Sequence, residues 1–214
     1  PLLEQFKLEQ QNGFDEVDFS EEFTVLEKLF EGVSLIGDYS SKIKDQILSI
    51  GEVLSAKLLT SILVNNGVNA RFADSRELIK TDSKFGDAQP IEQASKKNVI
   101  QYFKENEDAV NIVTGFIASN AKNVTTTLGR NGSNYTASLI ANYLNAEELQ
   151  NYTHVDGIYT ANPDLVPDAK KIDYLTFNEA NELANFGATI LHAKTIIPLL
   201  EKNIPLRILN TFNH

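Results

Sequence analysis

One short segment, residues 125–137, places the tightest constraint on how this chain folds. It begins with a β-prone run of threonines, continues into the glycine-flanked Arg130, and reaches Ser133, which opens an apolar helix. A strand that passes through a glycine loop into a helix brings a cation and free backbone N–H groups to one point. Because these groups together bind carboxylates and phosphates, the segment predicts an anion site.

The rest of the sequence alternates helical periodicity with short apolar runs. Helices are predicted over residues 23–36, from a Ser40–Ser41 cap to Asn65, and over 91–105, 177–186 and 189–200, with a helical turn at 74–79 and a loop at 84–90. Strands are predicted at residues 68–72, 109–118, 149–155 and 205–209, with 109–118 as a buried strand. This alternation predicts an α/β fold with a mostly parallel sheet and helices on both faces.

Composition argues against several classes of function. The formal net charge of −10 disfavours sequence-independent binding of nucleic acid. The chain has no cysteine, which excludes disulfides, thiol nucleophiles and cysteine metal sites. The three histidines have no carboxylates at metal-ligand spacing, so no protein-held metal is expected. We find no apolar run of about 18 residues and no signal peptide, so no membrane association is predicted and a cytoplasmic location is expected.

Six segments in order resemble the aspartokinases of the amino-acid kinase family. They are Ser49-Ile50-Gly51-Glu52, Phe85-Gly86, Gly115-Phe116-Ile117-Ala118, residues 125–137, Val155-Asp156-Gly157-Ile158-Tyr159-Thr160, and Phe186-Gly187-Ala188 followed by Leu191-His192. The likeness covers nearly the whole chain. It is greatest to the kinase part of the bifunctional aspartokinase–homoserine dehydrogenases, with the monofunctional type as the alternative. The resemblance implies an αβα sandwich around a mainly parallel sheet, the amino-acid kinase (carbamate kinase-like) fold.

The resemblance also implies an activity, the transfer of the γ-phosphoryl group of MgATP to the side-chain carboxylate of L-aspartate. This is the first step of lysine, threonine and methionine biosynthesis. The acceptor carboxylate, with a reference pKa of ~3.9, is already ionised at pH 7, so no general base is required. At matching positions Arg130 would clamp the substrate α-carboxylate, and Glu52 would accept from the α-ammonium group. Phe116 and Ser133 would offer backbone groups, and Arg130 and Asn134 would be the catalytic residues.

Taken alone, these residues have plainer interpretations. An arginine in a glycine loop is typical of a solvated turn. Glu52 is typical of an exposed helix position, and Phe116 is typical of a core. The resemblance favours a binding site over these alternatives.

The resemblance assigns the nucleotide to a second group of residues, Thr153, His154, Gly157, Tyr159 and Asn162. The Mg²⁺ ion would arrive with the nucleotide. A lone histidine at a strand end, such as His154, is also typical of a structural or solvated residue.

The nucleotide half departs from the family pattern at several positions. Asn134, His154 and Asn162 stand where aspartates are usual, Asp164 where an arginine is usual, and Thr189 where a lysine is usual. The family's early Lys-Phe-Gly-Gly-Thr-Ser strand is also absent. We therefore expect residues 1–214 to be a catalytic-domain fragment without that N-terminal strand and without C-terminal regulatory domains, inactive on its own.

Three hypotheses for the full-length protein follow. The first is an aspartate kinase of a divergent subfamily, which binds ATP with His154, Tyr159 and backbone groups. The second is a non-catalytic domain that binds aspartate or a partner subunit and regulates. The third, a kinase for glutamate, acetylglutamate or a nucleotide, is disfavoured by the combination of the Arg130 loop with Glu52. A homodimer or higher homo-oligomer is expected from the family.

Overall fold

The computed structural model describes residues 17–161, 165–185 and 193–213. The chain divides into two compact units, Pro1–Ser133 and Asn134–His214. The predictions that concern Asn162, Asp164, Thr189 and His192 lie outside the described residues.

The first unit combines helices with short strands. Its elements are α1 (Ser20–Ile36), α2 (Ser41–Asn65), β1 (Ala70–Ala73), α3 (Ser75–Leu78), β2 (Lys80–Thr81), α4 (Glu92–Glu105), β3 (Val110–Val113), β4 (Ile117–Asn120) and β5 (Thr125–Thr127). Strand β3 pairs with β1 in parallel, and β4 pairs with β2 in parallel and with β5 antiparallel. The predicted helices over 23–36, 41–65 and 91–105 are confirmed.

Helix α2 forms the centre of the first unit and packs against β1, β3, β4 and β5. Ser40 caps it, because its side chain accepts a hydrogen bond from Ile43 N at 3.3 Å. By length and composition alone α2 could cross a membrane, although no such run was expected from the sequence. Its residues Ile50, Val53 and Leu54 are buried within the unit, as in the core helix of a globular domain.

Helix α1 covers part of α2 with an apolar cluster. Phe19, Phe23 and Leu26 are buried together with Ile50 and Leu54 of α2. Burial of large apolar side chains of this kind contributes roughly 1.5–3 kcal/mol each. The first half of the predicted apolar face of α1 is therefore a packing face, whereas Phe30 and Ile36 in its second half are exposed.

The prediction of one buried strand over residues 109–118 is wrong. The segment forms two strands, β3 and β4, separated at residues 114–116, and Val110 is 51% exposed. Strand β3 pairs with β1, whereas β4 pairs with β2 and β5, so the chain changes pairing partners at this break. The apolar, β-branched composition is continuous across the break and gives no sign of it.

The second unit contains most of α5 (Gly132–Leu144), which begins at the end of the first unit. Its other elements are β6 (Leu149–Thr153), β7 (Ile158–Tyr159), β8 (Lys171–Ile172), α6 (Phe177–Asn185), α7 (Ala193–Lys202) and β9 (Leu206–Asn210). Strands β6 and β9 pair in parallel, and β7 and β8 form an antiparallel pair. Leu199, Ile204 and Ala141 form one buried apolar cluster, and Ile196 and Ala180 form another.

The α/β class with mainly parallel pairing is confirmed. Of the five strand pairings among the described residues, three are parallel. The two-residue strands β2, β7 and β8 were not predicted, because two residues are too few for an alternating pattern to be recognised.

Candidate functional site

Phe116 lies at a strained turn between β3 and β4. Its φ is 47°, a left-handed value that a bulky side chain rarely adopts. Ile117 N donates to Gly115 O at 2.6 Å and closes a three-residue turn around Phe116, while Leu128 N donates to Phe116 O at 2.9 Å. Strained backbone persists only where its surroundings over-determine it, and it concentrates at functional sites. The predicted substrate-binding residue Phe116 therefore occupies a position of that kind.

The turn at Gly115 and Phe116 packs closely against the start of α5. A Cβ added to Gly115 would lie 2.7 Å from Ser133 Oγ, and one added to Gly132 would lie 2.6 Å from Phe116 Cβ. The two glycines therefore allow the two segments to approach each other. As a result, two predicted substrate-binding residues, Phe116 and Ser133, lie in neighbouring positions at the N-terminus of α5.

Glu52 reaches the same turn from helix α2. Its Oε1 accepts a hydrogen bond from Gly115 N. Among the residues that the structure describes, none forms a hydrogen bond with Glu52 Oε2. One carboxylate oxygen thus fixes the turn, and the other is placed to accept from an ammonium group of a ligand.

Arg130 lies in the loop between β5 and α5. Gly129 and Asn131 on either side have left-handed φ values of 75° and 57°. The Arg130 side chain is exposed, and no hydrogen bond or ion pair joins it to any other described residue. The first N–H groups of a helix have no partner within the helix. Arg130 lies two residues before the first residue of α5, so its guanidinium group is carried next to these N–H groups in sequence. This arrangement suits bidentate binding of a carboxylate.

The first unit thus brings three predicted substrate-binding residues, Glu52, Phe116 and Ser133, together at one turn, and Arg130 lies two residues before the start of α5. The chain of contacts runs from Glu52 to Gly115 and from Gly115 to Ser133, with Phe116 against the residue before Ser133. Asn134 is the next residue on α5 but belongs to the second unit. Its backbone oxygen accepts from Ser138 Oγ at 2.9 Å.

Asp45, which was not predicted as a site residue, lies on α2 seven residues before Glu52. The residue is 1% exposed. Its Oδ2 accepts from Gly86 N at 2.9 Å and Thr127 N at 3.0 Å, and its Oδ1 accepts from Thr127 Oγ1 at 2.8 Å. A signal was present, because Asp45 is a charged residue in register with the buried positions 49 and 53 of the same helix.

Four of the predicted nucleotide-binding residues lie in the second unit at or after the end of β6. Thr153 Oγ1 lies 3.3 Å from Nδ1 of the exposed His154. Gly157 has a φ of 150°, and a Cβ added there would lie 2.9 Å from Lys171 Cε, so the position requires glycine. Tyr159 is half-buried in β7. The fifth residue, Asn162, lies outside the described part of the chain.

Asp156 anchors this predicted nucleotide segment. Its Oδ1 accepts from Asn210 Nδ2 at 2.7 Å and from Asn213 Nδ2 at 3.0 Å. These hydrogen bonds, from Asn213 first and then Asn210, lower the pKa of the Asp156 carboxyl group. The carboxylate is therefore charged at neutral pH and ties the segment after β6 to the end of β9.

A further cation, Lys194, lies near α5 in the second unit. Lys194 Nζ lies 6.0 Å from the centre of the Tyr135 ring, within the range of a cation–π contact. Burial, and then the charge of Glu201, raises the pKa of Tyr135, so its phenol is neutral at physiological pH. Lys194 therefore places a positive charge beside the Tyr135 ring, on the first turns of α5.

A cleft of about 660 Å³ lies within the second unit. Gly157 lines it, whereas Thr153, His154 and Tyr159 do not. The described parts of the chain contain no group of three or more histidines and carboxylates arranged to hold a metal ion. Of the described residues predicted to bind the nucleotide, Gly157 alone therefore lines this cleft.

Replacing Gly115 with alanine should destabilise the protein. The new Cβ would overlap Ser133 Oγ, and overpacking of this kind costs about 1–3 kcal/mol. Urea unfolding followed by circular dichroism should show a fall of that size in the free energy of unfolding. Gly32→Ala on α1 is the matched control: no atom lies within 4 Å of its added Cβ, and we expect a gain of about 0.5–1 kcal/mol. Equal stability of Gly115→Ala and the unmodified protein would contradict the close packing at this turn.

Comparison with known proteins places these features in a family. Residues 4–210 match the model of the amino acid kinase family. The sequence is 37% identical over 187 residues to lysine-sensitive aspartokinase 3 of Escherichia coli (strain K12), which covers 85% of this chain and 42% of that protein. It is 34% identical over 189 residues to the chloroplastic bifunctional aspartokinase/homoserine dehydrogenase 2 of Arabidopsis thaliana, covering 88% of this chain and 21% of that protein.

The same relationship holds for the fold. The crystal structure of E. coli aspartokinase III in complex with aspartate and ADP (R-state) is similar with a TM-score of 0.89 and 33% identity, covering 99% of this chain and 49% of that chain. The chain thus spans less than half the length of each of these relatives. Monofunctional and bifunctional aspartokinases are both among them, in agreement with the resemblance seen in the sequence. Since the family match includes nearly all residues of both units, the chain belongs to the amino acid kinase family.

Proposed function

We propose that this chain is the kinase part of an aspartate kinase, which transfers the γ-phosphoryl group of MgATP to the side-chain carboxylate of L-aspartate. The observation that carries the proposal is the convergence of Glu52, Phe116 and Ser133 at the start of α5, directly after the loop that carries Arg130. In this proposal residues 1–214 form the catalytic domain, and the full-length protein is a cytoplasmic homodimer or higher homo-oligomer.

The charges of the first unit match the substrate. L-aspartate carries an α-ammonium group and an α-carboxylate, and the site offers Glu52 Oε2 for the former and Arg130 for the latter. Binding both groups leaves the side-chain carboxylate as the free nucleophile, which needs no deprotonation at pH 7. Catalysis then depends on holding two anionic reactants in line and on neutralising their charge.

The second unit would bind the nucleotide with Thr153, His154, Gly157, Tyr159 and Asn162. ATP bound there would supply the phosphoryl group, and Mg²⁺ would arrive with it and neutralise the phosphate charge. Lys194 supports an anionic ligand near the first turns of α5, because its ammonium group lies beside the Tyr135 ring. In this proposal Asn134 donates its amide hydrogens to phosphate oxygens and Arg130 orients the acceptor.

A coupled assay of ADP release tests the proposal. The full-length protein should release ADP from MgATP in the presence of L-aspartate, and should release none with glutamate, acetylglutamate or a nucleoside monophosphate. Turnover with one of these other acceptors would contradict the assignment of the substrate.

A non-catalytic, regulatory domain is the second candidate. Asp164 and Thr189 favour it, because they stand where an arginine and a lysine are usual in the family, and loss of a phosphate-directed cation can cost several kcal/mol of transition-state stabilisation. Isothermal titration separates the two candidates. Measurable aspartate binding without any heat from MgATP would support the regulatory domain and overturn the kinase.

A further inference from the structure

We propose that Asp45 is a positioning residue for aspartate binding, which holds the base of the Arg130 loop through Thr127 and Gly86. The inference rests on the proposed function, because it concerns how that same site is kept in shape. Asp45 is distant in sequence from both partners, so it joins three segments of the first unit.

The environment of Asp45 explains how a carboxylate is stable there. A buried charge is costly unless hydrogen bonds compensate it. Asp45 is 1% exposed, and both of its oxygens are used, with three hydrogen bonds from Gly86 N, Thr127 N and Thr127 Oγ1. Two of these donors are backbone N–H groups from different segments. A single acceptor oxygen, Oδ2, therefore fixes the distance between those two segments.

The two segments that Asp45 joins both lead to the Arg130 loop. Thr127 is the last residue of β5, three residues before Arg130, and its carbonyl oxygen accepts from Ala88 N at 2.9 Å. The carbonyl oxygen of Gly86 would lie 3.1 Å from a Cβ added to Gly129. The strand before the loop and the segment packed against the loop are thus held by the same side chain.

Helix α2 connects Asp45 and its hydrogen bonds to Glu52, the residue proposed to bind the α-ammonium group. Asp45 and Glu52 are seven residues apart, about two helical turns, so both side chains lie on the same face of α2. Glu52 fixes the turn at Gly115, and Asp45 fixes the approach to Arg130. One rigid helix thereby sets the separation between the group that would bind the α-ammonium and the group that would bind the α-carboxylate. Small displacements of such groups are enough to impair catalysis.

Two substitutions distinguish the hydrogen bonds of Asp45 from its negative charge as the cause of any effect on aspartate binding. In Asp45→Asn the amide oxygen can still accept from both N–H groups, and the amide nitrogen can donate to Thr127 Oγ1, so all three contacts can survive. Asp45→Ala removes them all. In the full-length protein we expect Asp45→Ala to raise the KM for aspartate by about ten-fold or more, and the KM for ATP by less than about two-fold. Asp45→Asn should stay within about three-fold of the unmodified protein for both substrates.

A milder pair of variants tests the same role in case the Asp45→Ala protein does not fold. Thr127→Val removes the hydroxyl contact while keeping the shape of the side chain, and it should raise the KM for aspartate several-fold. Ser95→Ala is its control, since Ser95 is also fully buried and its hydroxyl bonds to Lys80 and Ile91, away from the Arg130 loop. Ser95→Ala should leave the KM for aspartate unchanged.

Amide hydrogen exchange provides a readout that does not depend on activity. A peptide covering residues 125–133 should exchange faster in Asp45→Ala and Thr127→Val than in the unmodified protein and in Ser95→Ala. Unchanged exchange in this peptide, or an equal rise in the KM values for aspartate and ATP, would overturn the positioning role. If the unmodified protein phosphorylates no aspartate, the proposed function fails, and the exchange rates then decide the role of Asp45 by themselves.

Discussion

Replacing Arg130 with alanine should lower kcat/KM for aspartate by on the order of 10²-fold in the full-length protein. Arg130 is exposed and has no hydrogen-bond partner among the described residues, so its loss should disturb the fold very little. Two parallel charge-assisted hydrogen bonds to the α-carboxylate would be lost, which corresponds to about 3 kcal/mol. At 1.36 kcal/mol per decade this gives the expected factor. Steady-state kinetics with the ADP-release assay measure it.

Two further variants make the Arg130 result interpretable. Arg130→Lys keeps the charge but loses the planar fork, so it should recover part of the activity and remain about ten-fold below the unmodified protein. Arg71→Ala is the control, because Arg71 is an exposed arginine of the first unit that pairs with Asp108 on the surface. Its loss should leave the kinetics unchanged. Full activity of Arg130→Ala would remove Arg130 from the site.

The replacement of Glu52 with glutamine should raise the KM for aspartate by about 10- to 100-fold. A glutamine oxygen can still accept from Gly115 N, so the turn that holds Phe116 is kept. The negative charge for the α-ammonium group is lost, and hydrogen bonds between charged groups contribute about 1.5–3 kcal/mol. The melting temperature should therefore stay close to that of the unmodified protein while the KM changes.

Glu52→Ala tests the second role of this side chain. It removes the acceptor for Gly115 N as well as the charge, so it should lower the melting temperature in addition to raising the KM. Glu105→Gln, at an exposed position near the end of α4, controls for the loss of one carboxylate. If Glu52→Gln and Glu105→Gln have the same KM for aspartate, the ammonium-binding role is wrong.

Local signals explain what the sequence could predict. The helices α1 and α2 follow from apolar periodicity, and α2 also follows from the serine cap at Ser40. The Arg130 loop is local as well, because its strand, glycines and helix start are contiguous. The same holds for Gly157, whose left-handed φ belongs to a single segment.

Long-range contacts explain what the sequence could not predict. The bond from Thr127 to Asp45 joins residues 82 positions apart, and no local pattern announces it. The strained φ of Phe116 arises where β3 and β4 pair with different strands, so it depends on pairing and not on residue type. The second group of predicted residues, around His154, was assigned by resemblance alone, and its role stays a prediction.

The distance between Asp45 and Glu52 is set by the geometry of helix α2, because both residues lie on it. Each added residue would rotate the downstream part of the helix by about 100° and advance it by about 1.5 Å. An insertion or deletion between these residues would turn one carboxylate away from its partner, whereas a substitution at an exposed position between them would not. Over the course of evolution this stretch can therefore vary at its exposed positions but not in length, unlike the surface loops of the same unit.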